Sequence, residues 1–204
     1  MKLSSSSTTA SLTKRKPGRP RSIRSEEAII KAAMKLLTNE GYGGVTLSKV
    51  AAKARTSKAT IYRRWPSKEH LIVEAFKRWP VLVPHDCGGV LEDLLDLHRQ
   101  FLRILHRPPV NGIIPTLVAE RAHSPELAAV FDPLMQRRRD PVRFVLNRAV
   151  ERGELPQSTD VEMAIDLFMG IVVLRMYFVP GELSEKSMRK LYPVVLRGLG
   201  AKGY

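Results

Sequence analysis

The side chains able to do chemistry in this sequence fall into three groups. The first is His85-Asp86-Cys87, which sets a base, a carboxylate and a thiol side by side. Adjacent residues of an extended segment point to opposite sides, so they cannot build a nucleophile–base–orienter array. Cys87 also has no cation beside it in sequence to lower its pKa, which argues against a redox-sensing thiolate. The second group is His98 and His106, eight residues apart. They share a helix face but lie two turns apart, too far to chelate one metal. No phosphate loop, dinucleotide fingerprint or His/Glu zinc motif occurs, so no enzyme, metal site or cofactor is expected. The third group is cationic, with five Lys or Arg between Lys14 and Arg21. A short polar run, Ser57-Lys58-Ala59-Thr60-Ile61-Tyr62-Arg63-Arg64, follows later. Hydroxyl, phenol, ammonium and guanidinium groups in such a run suit phosphate oxygens and base edges, and Ala59 leaves room for a thymine methyl.

Charge supports that third chemistry. The chain of 204 residues carries a net charge of +14. Residues 1–80 hold 18 Lys+Arg against 5 Asp+Glu, whereas residues 81–204 hold 16 against 15. A basic segment joined to a neutral one is the electrostatic footprint of a phosphate-binding domain and a partner domain. A basic membrane-surface helix fits less well, because the early cations lie in Pro/Gly-rich chain. The single Cys87 cannot form an intramolecular disulfide, which suits a reducing cytoplasm. The first residues carry no apolar signal-peptide core, and the apolar run Leu167–Leu174 is too short to span a bilayer. A soluble cytoplasmic protein is expected.

The elements that position these residues are legible from caps and periodicity. Residues 1–13 are Ser/Thr-rich with little to bury and read as a disordered tail. Lys14–Arg21 holds two prolines and a glycine, so it reads as an extended basic arm. Its Gly-Arg-Pro core resembles an AT-hook, which would insert Arg19 and Arg21 into a narrow minor groove; a solvated charge run is the alternative. Ser25 is a candidate N-cap for a helix with Ile29, Ile30, Ala33, Leu36 and Leu37 on one face, ended by Gly41, Gly43 and Gly44. Thr46 caps a short helix bearing Leu47, Val50, Ala51 and Ala54. Arg55-Thr56 breaks it, Ser57 caps the polar helix, Trp65-Pro66 stops that, and Ser67 caps the next. Two short helices joined by a tight turn form a helix-turn-helix, with Ile61 as the anchor of the second into the core.

The block Thr46…Val50-Ala51…Ser57-Lys58-Ala59-Thr60-Ile61-Tyr62-Arg63-Arg64-Trp65-Pro66-Ser67-Lys68-Glu69 closely resembles the helix-turn-helix of the tetracycline-repressor (TetR) family, over about Ile23 to Phe76. The resemblance implies an all-α homodimer of about nine helices. An N-terminal three-helix DNA-binding domain would precede a helical domain for a small-molecule effector and dimerisation. By the same resemblance Thr46, Tyr62 and Lys68 contact phosphates, while Ser57, Lys58, Ala59, Thr60 and Arg63 face the groove. The chain departs from the family in the turn, where Arg55-Thr56 stands in place of the usual glycine and valine. A non-glycine residue at a left-handed position there costs about 1 kcal/mol, which Arg55 could offset at a phosphate.

The expected organisation is therefore tail and arm over 1–22, DNA-binding domain over 23–70, and effector and dimerisation domain over 71–204. In the last, Val90 to Leu105 reads as a core helix, and Asn111–Arg121 as a short one interrupted by proline. A long helix from Ser124 to Arg152 should be bent or broken by Pro133 and Pro141. Val161–Val179 is apolar nearly all round, as a helix buried against several partners is, and Ser184–Leu199 follows. These last two are the candidate homodimer interface. Helix faces nominate Trp79, His98, Phe101, Leu105, Leu117, Phe144, Phe168 and Met169 as effector-pocket lining, although large apolar residues at helical spacing more often simply pack. Arg175, alone in its apolar segment, needs a partner if buried: an ion pair within or between subunits, or a ligand carboxylate. The function expected is a regulator, most simply a repressor, released from a near-palindromic operator in double-stranded DNA by an unidentified effector. The alternative is an AT-preferring or non-specific architectural DNA-binding protein working through the arm.

Overall fold

The computed structural model describes residues 21–105, 110–179 and 181–204, and among these every regular element is a helix. The DNA-binding head comprises α1 (Arg21–Gly44), α2 (Leu47–Lys53), α3 (Lys58–Tyr62) and α4 (Lys68–Lys77). Behind it lie α5 (Val90–Leu105), α6 (Val110–Arg121), α7 (Pro125–Arg138), α8 (Asp140–Glu151), α9 (Val161–Tyr177) and α10 (Glu185–Gly198). Only Arg139 separates α7 from α8, so the two count as one bent helix in the expected nine. Proline decides that break. Pro141 falls in the first turn of α8, where its missing N–H has no intrahelical partner to lose. Pro133 is tolerated inside α7. No helix among the described residues is long and apolar enough to cross a membrane.

Side-chain caps start most of the helices where the sequence placed them. Thr46 accepts from Lys49 N, Ser57 from Thr60 N, Ser67 from His70 N and Ser124 from Leu127 N, each satisfying an otherwise orphaned donor. Ser25 is the exception. The first helix begins four residues earlier, so Arg21 stands at a helix start and not on an extended arm, while Arg19 lies outside the described residues. Its regular course ends at Gly41, whose φ of 68° suits a residue without a Cβ.

Two apolar cores result. One gathers Ile29, Ala33 and Leu36 of α1 with Val50, Ile61, Leu71 and Phe76, and it extends to Ile113 and Leu117 of α6 and Leu127 and Phe131 of α7. The head is thus seated on α6 and α7, and one apolar cluster runs through both. The other joins Leu94 and Leu95 of α5, Val145 and Leu146 of α8, Ile165 and Phe168 of α9, and Met188 and Leu196 of α10.

The helix over 161–177 differs from its expected full burial. Only Ala164, Ile165 and Phe168 are buried, while Met163 is 59% exposed and Leu167, Val173 and Leu174 are each more than 40% exposed. The helix is apolar all round, yet one side meets no other element among the described residues.

Candidate nucleic-acid interface and effector cavity

The polar helix α3 is held by one residue and presents the rest. Ile61 is fully buried in the head core. Lys58, Ala59, Tyr62 and Arg63 are exposed, Tyr62 by 54%. Ser57 and Thr60 are committed first to the helix start, where their hydroxyls share a 2.9 Å bond. Arg64, by contrast, faces back and pairs with Glu26 of α1, as does Arg78 at the end of α4. Of the two adjacent arginines, only Arg63 is left to the outer face.

Thr46, Tyr62 and Lys68, separate in sequence, line one shallow hollow together with Ser48 and Ser67. The hollow lies at the start of α4, whose dipole favours an anion, and offers a hydroxyl, a phenol and an ammonium. These are the donor types that a phosphate oxygen accepts from. Lys68 is steadied 4.0 Å over the Tyr42 ring. The Tyr42 hydroxyl donates to Glu69 Oε1 at 2.7 Å. Burial alone would raise the Glu69 carboxyl, but hydrogen bonds from Ser67 and Tyr42 outweigh it and hold the group below the usual range. The position of Lys68 therefore rests on a buried, ionised support.

The turn between α2 and α3 takes the shape that glycine usually makes. Arg55 has φ 52° and is the one non-glycine residue with positive φ among the described residues. Its N–H reaches Ala52 O at 3.2 Å and the Thr56 N–H reaches Ala51 O at 3.0 Å. Those two bonds are a Schellman helix end, in which Arg55 holds the left-handed position.

Behind the head lies a cavity of about 590 Å³. Six of the nine residues nominated for it, Trp79, His98, Phe101, Leu105, Phe168 and Met169, lie in its wall. Three do not. Leu117 is fully buried in the head core, because α6 turns that side toward α1. Phe144 is 54% exposed on the outer side of α8, with Arg148 over its ring. Arg175 is half-buried and folded back against Gly181 in the α9–α10 connection, where a Cβ would collide with it. Among the described residues Arg175 has no ion pair within the chain and no place in the cavity wall.

The cavity wall is nearly all apolar, and its polar groups are few. His98 is buried, and its Nε2–H donates to Leu183 O at 2.6 Å. That leaves Nδ1 to accept from Tyr192 at 3.4 Å. Burial lowers the His98 pKa, so the ring is neutral at pH 7. Among the described residues the one formal charge in the wall is Arg138, which the sequence reading missed. It spans from α7 to the end of α4, donating to Pro80 O at 2.7 Å, Phe76 O at 2.9 Å and Trp79 O at 3.2 Å. Only its place beside two other arginines was visible in sequence.

The connection from head to second domain is likewise pinned by polar groups. Gln100 brackets Val83 through both its backbone groups. Asp93, 2% exposed, accepts from Cys87 N at 2.6 Å and pairs with Arg148 at 2.6 Å. The Cys87 thiol is exposed and its pKa is raised, by partial desolvation and by the Asp96 and Asp93 carboxylates, so it is not an activated thiolate. No cluster of metal-ligating side chains occurs among the described residues.

Comparison with known proteins agrees with this architecture. Residues 29–75 match the family described as bacterial regulatory proteins, tetR family, and residues 84–195 match the tetracyclin repressor-like C-terminal domain. The chain is 30% identical over 192 residues to the HTH-type transcriptional regulator YdeS of Bacillus subtilis, covering 91% of this chain and 95% of that protein. It is 29% identical to the DNA-binding transcriptional repressor TetR of Mycobacteroides abscessus, covering 83% of this chain and 90% of that one. Among solved structures, the TetR family regulator SCO0332 superposes with a TM-score of 0.67 at 27% identity, covering 86% of this chain and 98% of that one. With its exposed α3, the donor-lined hollow beside it and a helical domain behind, the chain belongs to the tetR family of sequence-specific DNA-binding transcriptional regulators and is not an enzyme.

Proposed function

We propose that two copies of this chain join through α9 and α10 and act in the cytoplasm as a repressor on a near-palindromic operator. The carrying observation is α3, anchored by Ile61 alone and exposing Lys58, Ala59, Tyr62 and Arg63. In the dimer the two such helices enter successive major grooves about 34–36 Å apart. Thr46, Tyr62 and Lys68 hold a phosphate and set the register, whereas Lys58, Ala59 and Arg63 read base edges. Ser57 and Thr60 act mainly by fixing the helix start.

The dimer surface is supported by the uncovered apolar side of α9, where Met163, Leu167 and Leu174 recur at helical spacing, and by Val194 of α10 at 62% exposure. A small-molecule effector in the 590 Å³ cavity would favour a dimer state whose reading helices no longer fit the operator. To do so it must bind that state more tightly than the DNA-bound one.

Selection of random double-stranded DNA by the purified protein at about physiological salt tests the reading. A near-palindrome, with weaker binding by Lys58→Ala and Tyr62→Ala, is the expected result. Recovery of only AT-rich sequence, with binding unaffected by those substitutions, overturns it and moves function to the arm containing Arg19.

A further inference from the structure

The cavity has an uneven electrostatic character. Among the described residues 25 line it, and no Asp, Glu or Lys is among them. Two rings, His98 and Tyr192, satisfy each other and the Leu183 carbonyl. Arg138 is different. Burial pushes its pKa down, and no carboxylate pairs with it among the described residues. Its three acceptors are all backbone carbonyls at the end of α4. The Phe76 ring lies 5.4 Å away under the guanidinium. Carbonyls at a helix C-terminus supply only part of a negative charge. A guanidinium is built for two parallel bonds to a carboxylate, and one in an apolar wall without that partner is incompletely compensated.

Resting on the reading of this cavity as the effector site, we infer that the effector is an amphipathic organic anion. A large apolar body fills the space between α5 and α9, and a single carboxylate or similar acidic group seats on Arg138. The same contact supplies the signal. Phe76, Trp79 and Pro80, whose carbonyls Arg138 holds, themselves line the cavity, and α4 begins at Lys68 in the phosphate hollow. A bound acid competes with those carbonyls for the guanidinium. It loosens the clasp between α7 and α4, so the helix carrying Lys68 is free to move relative to the dimer domain.

Calorimetric titration of the intact protein with matched probes tests this: decanoate against 1-decanol, and 2-naphthoate against 2-naphthol. In at least one pair the acid should bind about tenfold or more tightly than its neutral partner, as a charge-assisted hydrogen bond implies. In Arg138→Gln, which keeps donors for the carbonyls but removes the charge, that preference should fall to within about twofold while the neutral probe binds as before. Arg138→Lys, which keeps the charge, should retain a preference for the acid and guards against a folding defect in the first variant. Neutral probes binding as tightly as their acids in both pairs overturn the anion and leave the cavity as an effector site. No binding by any of the four probes overturns both. An acid preference undiminished in Arg138→Gln overturns the role of Arg138.

Discussion

Arg55 gives the sharpest test of the local physics. It holds the left-handed position of the Schellman end of α2 with φ 52°, and its side chain is exposed. An L-residue there costs roughly 1–2 kcal/mol, which glycine avoids because it has no Cβ. Glycine in turn loses about 0.4–1 kcal/mol through the greater freedom of its unfolded chain. Arg55→Gly and Arg55→Ala remove the same charge and side chain, so their difference isolates the backbone. The glycine variant should be more stable than the alanine variant by about 0.5–1 kcal/mol. For a chain of this size that is a rise of about 1–3 °C in Tm, read at one fixed protein concentration because dimerisation contributes. Urea unfolding should show the same order of midpoints with unchanged slopes. An alanine variant equal to or more stable than the glycine variant refutes the strain. Binding to the selected operator supplies an independent reading: if Arg55 reaches a phosphate, both variants lose about one unit of salt slope relative to the parent.

Other expectations follow from particular contacts. Tyr62→Phe removes one phosphate hydrogen bond and should weaken operator binding about fivefold without changing which sequence is selected, whereas Lys58→Ala should relax selection; both are read by titration against selected and scrambled DNA. Ser57→Ala deletes the cap of α3 and should cost about 1 kcal/mol in urea unfolding, with a loss of DNA affinity beyond that of a surface hydroxyl. Asp93→Leu leaves Arg148 and the Cys87 N–H without their partner at a buried position, and should destabilise by about 3 kcal/mol, a loss that an unchanged midpoint would contradict. Burial holds the folded pKa of His98 below its unfolded value near 6.5, so the unfolded chain takes up the proton first. Stability from this residue is present above about pH 6.5 and lost as pH falls toward the folded pKa. The stability gap between the parent and His98→Gln should accordingly narrow from pH 7.5 to 5, and a constant gap would count against it.

The sequence by itself determined the features that depend on neighbours within a turn or two. Thr46, Ser57 and Ser67 could be placed as caps because each accepts from an N–H three residues on, and Arg55 could be identified as an awkward turn residue for the same local reason. Ser25 misled because any serine before an apolar stripe looks like a cap, and nothing local said that the backbone was already helical at Arg21. Tertiary structure alone decided what lay opposite each face. Helical periodicity made Phe101, Leu117 and Phe144 equivalent, yet one lines the cavity, one is buried under the head and one faces outward. Arg138 was invisible because its acceptors lie 58 to 62 residues earlier in the chain. A cap is settled by backbone geometry over a few bonds, whereas the surroundings of a helix face are settled by which distant helix closes over it, and periodicity carries no record of that choice.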